Sequence, residues 1–354
     1  MRIGIPREVK VQEGRVALIP AAAGELVRHG HEVLMEAGAG RLAGYGDGDY
    51  AAAGVEVVAD ADALYRRAEM IVKVKEPQPE ELERLRPHHL LFSFLHLAAA
   101  PELTRALQDI GLTAVAFETV AEADGRLPLL APMSDIAGRI AVQYGATLLH
   151  HYRGGRGILL GGLPAAERGR VVILGAGNAG GNAAAVAAAL GAEVTVLERR
   201  RERMAAMRAL GPNVTALHPF ADTVAEAVRA ADLLVGAVLV PGRRAPRLVS
   251  ADMVRAMRPG AVVVDISVDQ GGCIETTRPT DWERPAFVWE GVVHFGVTNM
   301  PGAVPRSASQ ALSAALVPYV LRLARPGWEQ DPALAAGVNV RGGEVVHPAL
   351  REAA

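Results

Sequence analysis

The residues whose spacing is most specific to a chemistry lie in Val171–Glu198, VVILGAGNAGGNAAAVAAALGAEVTVLE. An apolar run, Val171–Leu174, enters Gly175-Ala176-Gly177-Asn178-Ala179-Gly180; an alanine-rich stretch follows, Gly191 closes it, and Val194–Leu197 stops at Glu198. The order predicts a strand, a tight turn, a helix and a second strand. Glycines there let the backbone turn sharply and approach a pyrophosphate, whose charge meets the unsatisfied N–H groups at the helix start. Glu198 lies 23 residues after Gly175, near where an acid accepts hydrogen bonds from the ribose hydroxyls of NAD. Such a turn also occurs without a ligand, but the strand–turn–helix–strand context favours a dinucleotide. A carboxylate at 198 repels a 2′-phosphate. Arg199, Arg200 and Arg201 would attract one, unless they only solvate a helix start. The balance favours NAD over NADP.

Ligands of an open parallel sheet gather beyond the carboxyl ends of its strands. That rule selects Arg15, Lys75 and His96 in the first half of the chain, and Leu239, Asp269, Asn299 and Met300 in the second. Arg15, in EGRVALIP, has a fork of donors suited to a small carboxylate, although an arginine alone is most often at the surface. Lys73 and Lys75 share a face if IVKVK is a strand, and two lysines there are costly to bury unless paired. Lysine itself is informative, because only Lys10, Lys73 and Lys75 among 37 cationic residues are not arginine. Lys75, at the strand end, is the better candidate to bond a substrate oxygen, with a pKa that desolvation can shift. His96, after LLFSFL, is the best acid/base of the first half, and His88 and His89, at the opposite edge, read as structural. Asp269, in VVVDISVDQGG, faces the crevice where a nicotinamide would lie, or else is a turn aspartate; Asp265 reads as structural. No HExxH, CxxC or GxSxG occurs, so neither a metal centre nor a serine nucleophile is expected.

The elements that must position these groups alternate. Strands are expected at Arg2–Ile5, Glu32–Met35, Val55–Val58, Met70–Lys75, Leu90–Leu95 and Thr113–Glu118, with helices between them. Ser134 is expected to cap a long helix, Asp135–His151. A second βα series runs from Val171 to a strand near His294–Val297. Short apolar strands alternating with helices predict two α/β, Rossmann-like doubly wound parallel-sheet domains with a cleft between them. The helix Ser307–Leu323 is expected to pack back on the first. The boundaries are 1–128 plus 305–354 for the substrate domain and 129–304 for the nucleotide domain. The glycine-rich loop Arg153–Pro164 is either a surface segment or an inter-subunit contact. At 354 residues, half of them apolar, the chain can bury large cores. Its net charge of −2 argues against nucleic acid, the single Cys273 suggests a reducing compartment, and no signal or spanning segment is visible. A cytoplasmic protein is expected.

Taken together, these residues sit in blocks that resemble the alanine dehydrogenase family from end to end. The blocks are GIPREVKVQEGRVALIP, VKVKEPQPEE, LFSFLHLA, ETV, LPLLAPMSDIAGR, GGRGILLGG, VVILGAGNAGGNAA, GAVLVPGRRAPRLVS, MRPGAVVVDISVDQGGCIETTRPT and VTNMPGAVPRSAS. The resemblance implies NAD-dependent, reversible oxidative deamination of L-alanine to pyruvate and ammonium, in a homo-oligomer, usually a hexamer, with no membrane partner. It implies that Arg15 and Lys75 hold the substrate, Arg15 by its carboxylate, and that His96 and Asp269 handle protons. It implies a cofactor site of Ser134, Gly175, Gly177, Asn178, Ala179, Gly180, Glu198, Arg203, Val238, Leu239, Ile266, Ser267, Val268, Asp269, Val297, Thr298, Asn299 and Met300. Glu198 stands where the family commonly has aspartate, one methylene shorter. A close relative is the NAD(H)-binding subunit of proton-translocating transhydrogenase, but DQGGCIETTRPT and TNMPGAVPRSAS look like the dehydrogenase. A module that holds NAD without turnover would not need Arg15, Lys75 and His96, and a longer amino-acid substrate remains an alternative.

Overall fold

The computed structural model describes residues 1–238 and 245–351. The chain forms two compact units, Met1–Met133 with Val304–Ala354, and Ser134–Ala303.

In the first unit the chain lays down β1 (Arg2–Ile5), β2 (Glu32–Glu36), β3 (Glu56–Val58), β4 (Met70–Val72), β5 (Leu90–Ser93) and β6 (Thr113–Ala116). These pair in parallel. β4 and β5 are buried throughout, as expected of strands covered on both faces. The second unit contributes β7 (Arg170–Leu174), β8 (Glu193–Leu197), β9 (Val214–Leu217), β10 (Leu233–Gly236), β11 (Val262–Asp265), β12 (Ala286–Trp289) and β13 (Val292–Phe295). The chain then returns to the first unit through the helix Pro305–Leu323 and adds β14 (Val338–Arg341) and β15 (Glu344–Val345).

The first sheet runs β15-β14-β6-β5-β4-β1-β2-β3, the second β12-β13-β11-β10-β7-β8-β9. Each is doubly wound. From β1 the chain moves outward through β2 and β3, then crosses to β4 on the other side of β1; from β7 it moves through β8 and β9, then crosses to β10. The switch points, where ligands of such sheets bind, therefore lie between β1 and β4 and between β7 and β10.

The doubly wound parallel plan is the one expected, with antiparallel strands added at its edges: β14 joins β6, β15 joins β14, and β12 joins β13. Two expectations need correction. β4 stops at Val72, so Lys73 and Lys75 do not share a strand face. Its neighbour β1 reaches only Ile5, and Pro6 has no N–H with which to continue the ladder. The long helix spans Ala131–Leu148, starting three residues before Ser134, which lies in its first turn rather than at its cap.

Candidate active site

Arg15 lies in the loop after β1, at the first sheet's switch point, and its side chain is buried, 2% exposed, against the surface position an isolated arginine suggests. Glu13 holds it. One carboxylate oxygen accepts from the Arg15 backbone N–H at 3.0 Å and from Nε at 2.7 Å; the other accepts from the second terminal nitrogen at 2.5 Å. The remaining terminal nitrogen is 3.1 Å from Met133 Sδ. A guanidinium removed from water needs such a bidentate partner, and the pair fixes the plane of the fork.

Lys75 follows β4 across the same switch point. Its side chain is 13% exposed, with Nζ 3.9 Å from a Glu76 carboxylate oxygen. Burial pushes the Lys75 ammonium below the ordinary lysine value; Glu76 opposes the shift, and the positive charges of Arg15 and Lys10 add to it. Arg15 and Lys75 therefore share one electrostatic neighbourhood. Lys73 is different: fully enclosed, it pairs with Glu8 and Glu81.

His96 lies three residues beyond β5, the neighbour of β4, where a short 3-10 turn begins. Its backbone is left-handed, φ 50° and ψ 39°, a conformation that costs a non-glycine residue about 1 kcal/mol or more. Glu118, in the 3-10 turn that follows β6, offsets that cost. It accepts from the His96 N–H at 2.6 Å and from the Leu95 N–H at 3.3 Å, and lies 3.9 Å from Nδ1. The imidazole stacks on Phe94, interplanar angle 2°, and stays half-exposed. His89 is buried, with Nε2 2.9 Å from the Tyr65 carbonyl, as a structural residue should be.

In the second unit Gly175 has φ 90°, open to glycine at little cost, and the helix Asn178–Ala189 starts at the next switch point. A Cβ on Gly180 would stand 1.9 Å from the Gly175 carbonyl oxygen, so helix and turn meet backbone to backbone. Gly177 instead faces open space: a Cβ there would meet only an Arg203 terminal nitrogen, at 3.8 Å. This is room for a phosphate beside the N–H groups of Asn178, Ala179 and Gly180. Glu198 ends β8. Its carboxylate accepts from the N–H groups of Ala176 (2.9 Å), Arg199 (2.7 Å) and Arg200 (2.9 Å), and lies 3.8 Å from Arg203. Burial alone would raise this carboxyl; the three N–H groups and Arg203 take it below the usual range, so it is an anion near neutral pH. The residues present suit a dinucleotide.

The loops beyond β10, β11 and β13 flank that turn. Val238 follows β10, and its carbonyl accepts from Ser267 Oγ at 2.7 Å. Leu239 lies outside the described residues. Ile266, Ser267, Val268 and Asp269 form a 3-10 turn, with Asp269 exposed at its end. Val297 and Met300 are buried, Thr298 donates its N–H to the Thr280 carbonyl, and Asn299 has φ 60°. Ser134 is half-buried in the first turn of its helix.

Glu13, Glu118 and Asp265 each anchor one functional loop; the sequence marks Asp265 as structural but assigns no role to Glu13 or Glu118. Asp265 is enclosed and accepts from the N–H groups of Ser267, Cys273 and Ile274 and from Thr277 Oγ1. A signal existed for two of them: Glu118 and Asp265 are acids at the carboxyl ends of apolar strands. Among the described residues no group of His, Cys, Asp and Glu could hold a metal ion.

Comparison with known proteins agrees with this geometry. The family model described as alanine dehydrogenase/PNT, N-terminal domain, matches residues 4–137, and its C-terminal counterpart matches 141–348. The alanine dehydrogenase of Halomonas elongata is 49% identical, covering 100% of this chain and 96% of its own. A solved structure titled L-alanine dehydrogenase superposes with a TM-score of 0.96 at 50% identity, over 100% of this chain and 99% of the other. A solved transhydrogenase from Sinorhizobium meliloti gives 0.87 at 28% identity, over 98% and 100%.

Proposed function

Because the chain belongs to the alanine dehydrogenase/PNT family, we propose that it is an NAD-dependent L-alanine dehydrogenase, interconverting L-alanine with pyruvate and ammonium. The first unit is the substrate domain and the second holds NAD. The observation that most supports this reading is the buried Arg15, bound by Glu13 and felt by Lys75, at the switch point of a sheet other than the one that carries the Gly175–Gly180 turn. A nucleotide-holding module has no use for such a carboxylate site. The transhydrogenase reading is weaker, since this chain is far closer in sequence to the dehydrogenases than to the transhydrogenase.

NAD, when bound, supplies the acceptor for the hydride leaving the alanine Cα. The chain's own groups do the rest. Arg15 takes the substrate carboxylate through its guanidinium and so fixes where Cα sits. Reaction needs Cα within about 3–3.5 Å of the nicotinamide ring. The alanine ammonium first gives up a proton to solvent, and loss of hydride from the resulting amine leaves an iminium on the substrate. Water adds to its carbon, and His96 takes the water proton on its imidazole. The resulting carbinolamine breaks its C–N bond as His96 returns the proton to nitrogen; the hydroxyl proton passes to the departing ammonia, leaving the carbonyl of pyruvate and an ammonium ion. Lys75 donates to the developing carbonyl oxygen. Asp269 orients the water or the amine. Ser134, Gly175–Gly180, Val238, Leu239, Ile266–Asp269 and Val297–Met300 line the cofactor, with Glu198 on the ribose hydroxyls. Arg203, beside Glu198, lies on the same side.

We propose further that the enzyme is a cytoplasmic homohexamer. Tyr152, Leu159, Leu163 and Leu190 form exposed apolar surface around the glycine-rich loop, of the kind a second copy covers. Among the described residues no helix is long and apolar enough to cross a membrane. One set of measurements tests the reading: NADH formation from a panel of L-amino acids, with NAD against NADP, on protein whose mass is checked by light scattering. Alanine with NAD should lead the panel, on a hexamer. Preference for a longer amino acid, or no turnover, would remove the proposed activity, and a monomer would remove the assembly.

A further inference from the structure

The first unit encloses a charged cluster that the reaction does not use. Lys73, Glu8 and Glu81 have side chains 1%, 2% and 4% exposed. The Lys73 ammonium has three acceptors around it: Glu8 Oε2 at 3.1 Å, Glu81 Oε2 at 3.2 Å and the carbonyl oxygen of Lys75 at 2.9 Å. Glu8 turns its other oxygen to the Val74 N–H at 2.5 Å, while Oε2 lies 3.3 Å from the Lys75 N–H. Glu81 is completed by the Tyr65 hydroxyl at 3.1 Å and the Gln78 N–H at 2.8 Å.

The cluster occupies the place where β4 has run out of a partner. On the β5 side pairing continues, from the Lys73 N–H to the Phe92 carbonyl and from the Phe94 N–H to the Val74 carbonyl. On the other side β1 ends at Ile5, and the Glu8 carboxylate, three residues on, supplies acceptors that a longer β1 would have offered. We infer that Glu8 and Lys73 are positioning residues for Lys75: together they hold the Lys75 peptide by both its N–H and its C=O, and so aim its side chain at the substrate.

A buried ion pair is a poor source of stability, because desolvation offsets its attraction; fixing one arrangement is what it does well. A tetrahedral ammonium directs three donors to three separate acceptors, which the planar fork of an arginine does not. That accounts for a lysine at 73 in a chain that otherwise writes nearly all its cations as arginine.

The inference rests on the reading of Lys75 as a substrate residue, and its test separates the two. The full-length protein is saturated with NADH in ammonium-free buffer, and pyruvate is titrated by the change in NADH fluorescence. The variants are Glu8→Gln, Lys73→Met, Lys75→Ala, and each of the first two combined with Lys75→Ala. Affinity for NADH should stay at the parent value throughout. Pyruvate affinity should fall roughly 10- to 100-fold in Glu8→Gln and in Lys73→Met. Either change added to Lys75→Ala should cost less than about 3-fold more, since the effect travels through Lys75. Unchanged pyruvate binding in the single variants, or losses that multiply in the doubles, overturns the inference. Unchanged binding in Lys75→Ala instead removes the reading of Lys75 on which it stands. Lys73→Met strands two carboxylates and is the variant at risk of misfolding; Glu8→Gln, close to isosteric, then decides alone.

Discussion

At the scale of single residues, the first unit's candidate cations are each held by an acid, and the acid sets how they behave. Arg15 has Glu13 and Lys73 has Glu8 and Glu81 at hydrogen-bonding range, whereas Lys75 has Glu76 at 3.9 Å, with a smaller contribution from Glu13. Lys75 is therefore the least compensated of them, and burial, aided by Arg15, lowers its pKa below 10.5. The sign of the consequence follows. Pyruvate is an anion and binds best to the ammonium form. Below the free-enzyme pKa of Lys75 that form dominates and affinity is flat; as pH rises through that pKa the charge is lost and affinity falls. Pyruvate binding to the NADH-loaded enzyme should weaken with a midpoint below the ordinary lysine value, and Lys75→Arg should abolish this limb. A flat profile up to pH 10.5 would contradict the role. The sequence marks Lys75 as unusual by its residue type and its place near a strand end. It does not reveal that Lys73, two positions away, is neutralised in the core, because its partners lie 65 residues before it and eight after it in the chain.

At the scale of elements, the nucleotide turn is the most legible part of the chain, since strand, turn, helix and strand are contiguous and every contact is local. The observed β7, helix Asn178–Ala189 and β8 match the residues that the apolar runs and glycines delimit. The β14–β15 hairpin and β12 were not legible. They are two to four residues long, and β14 docks on β6, more than 200 residues earlier, so no local pattern specifies the pairing. The same contrast gives a paired prediction for two adjacent glycines. At Gly180 a methyl group would strike the Gly175 carbonyl oxygen at 1.9 Å, whereas at Gly181 the first atom met is Met207 Cε at 3.6 Å. Gly180→Ala must push helix from turn, at a cost of about 1–3 kcal/mol, and should weaken NADH binding roughly 10-fold or more. Gly181→Ala should leave NADH binding intact and stabilise the helix by about 0.5–1 kcal/mol. Thermal melting and NADH titration of both variants decide. Equal behaviour would mean that the helix does not approach the turn as described.

At the scale of the whole molecule, the order of the chain matters as much as its elements. The first unit is discontinuous: the chain leaves it at Met133 and returns at Val304, with Ser134–Ala303 between, and continues into the helix Pro305–Leu323. That helix is expected from sequence as a packing element, from Leu312, Leu316, Val320 and Leu323, all of which are buried. Its serines do more. Ser309 Oγ accepts from the Val16 N–H at 3.0 Å, and Ser313 Oγ accepts from the Ile19 N–H at 2.9 Å while donating to the Ala17 carbonyl at 2.9 Å. The segment after Arg15 has no strand partner at these groups, so the returning helix satisfies its backbone. The end of the chain thus sets the position of a substrate residue near its beginning. Ser309→Ala leaves the buried Val16 N–H without its acceptor, at about 1–3 kcal/mol, which for a unit of this size lowers Tm by about 2–4 °C per kcal/mol. It should also weaken pyruvate binding several-fold while NADH affinity stays unchanged, because the displaced residue next to Val16 is Arg15. Ser309→Thr keeps the hydroxyl and should restore both properties. A variant that melts earlier but binds pyruvate like the parent would show that the helix supports the fold without steering Arg15.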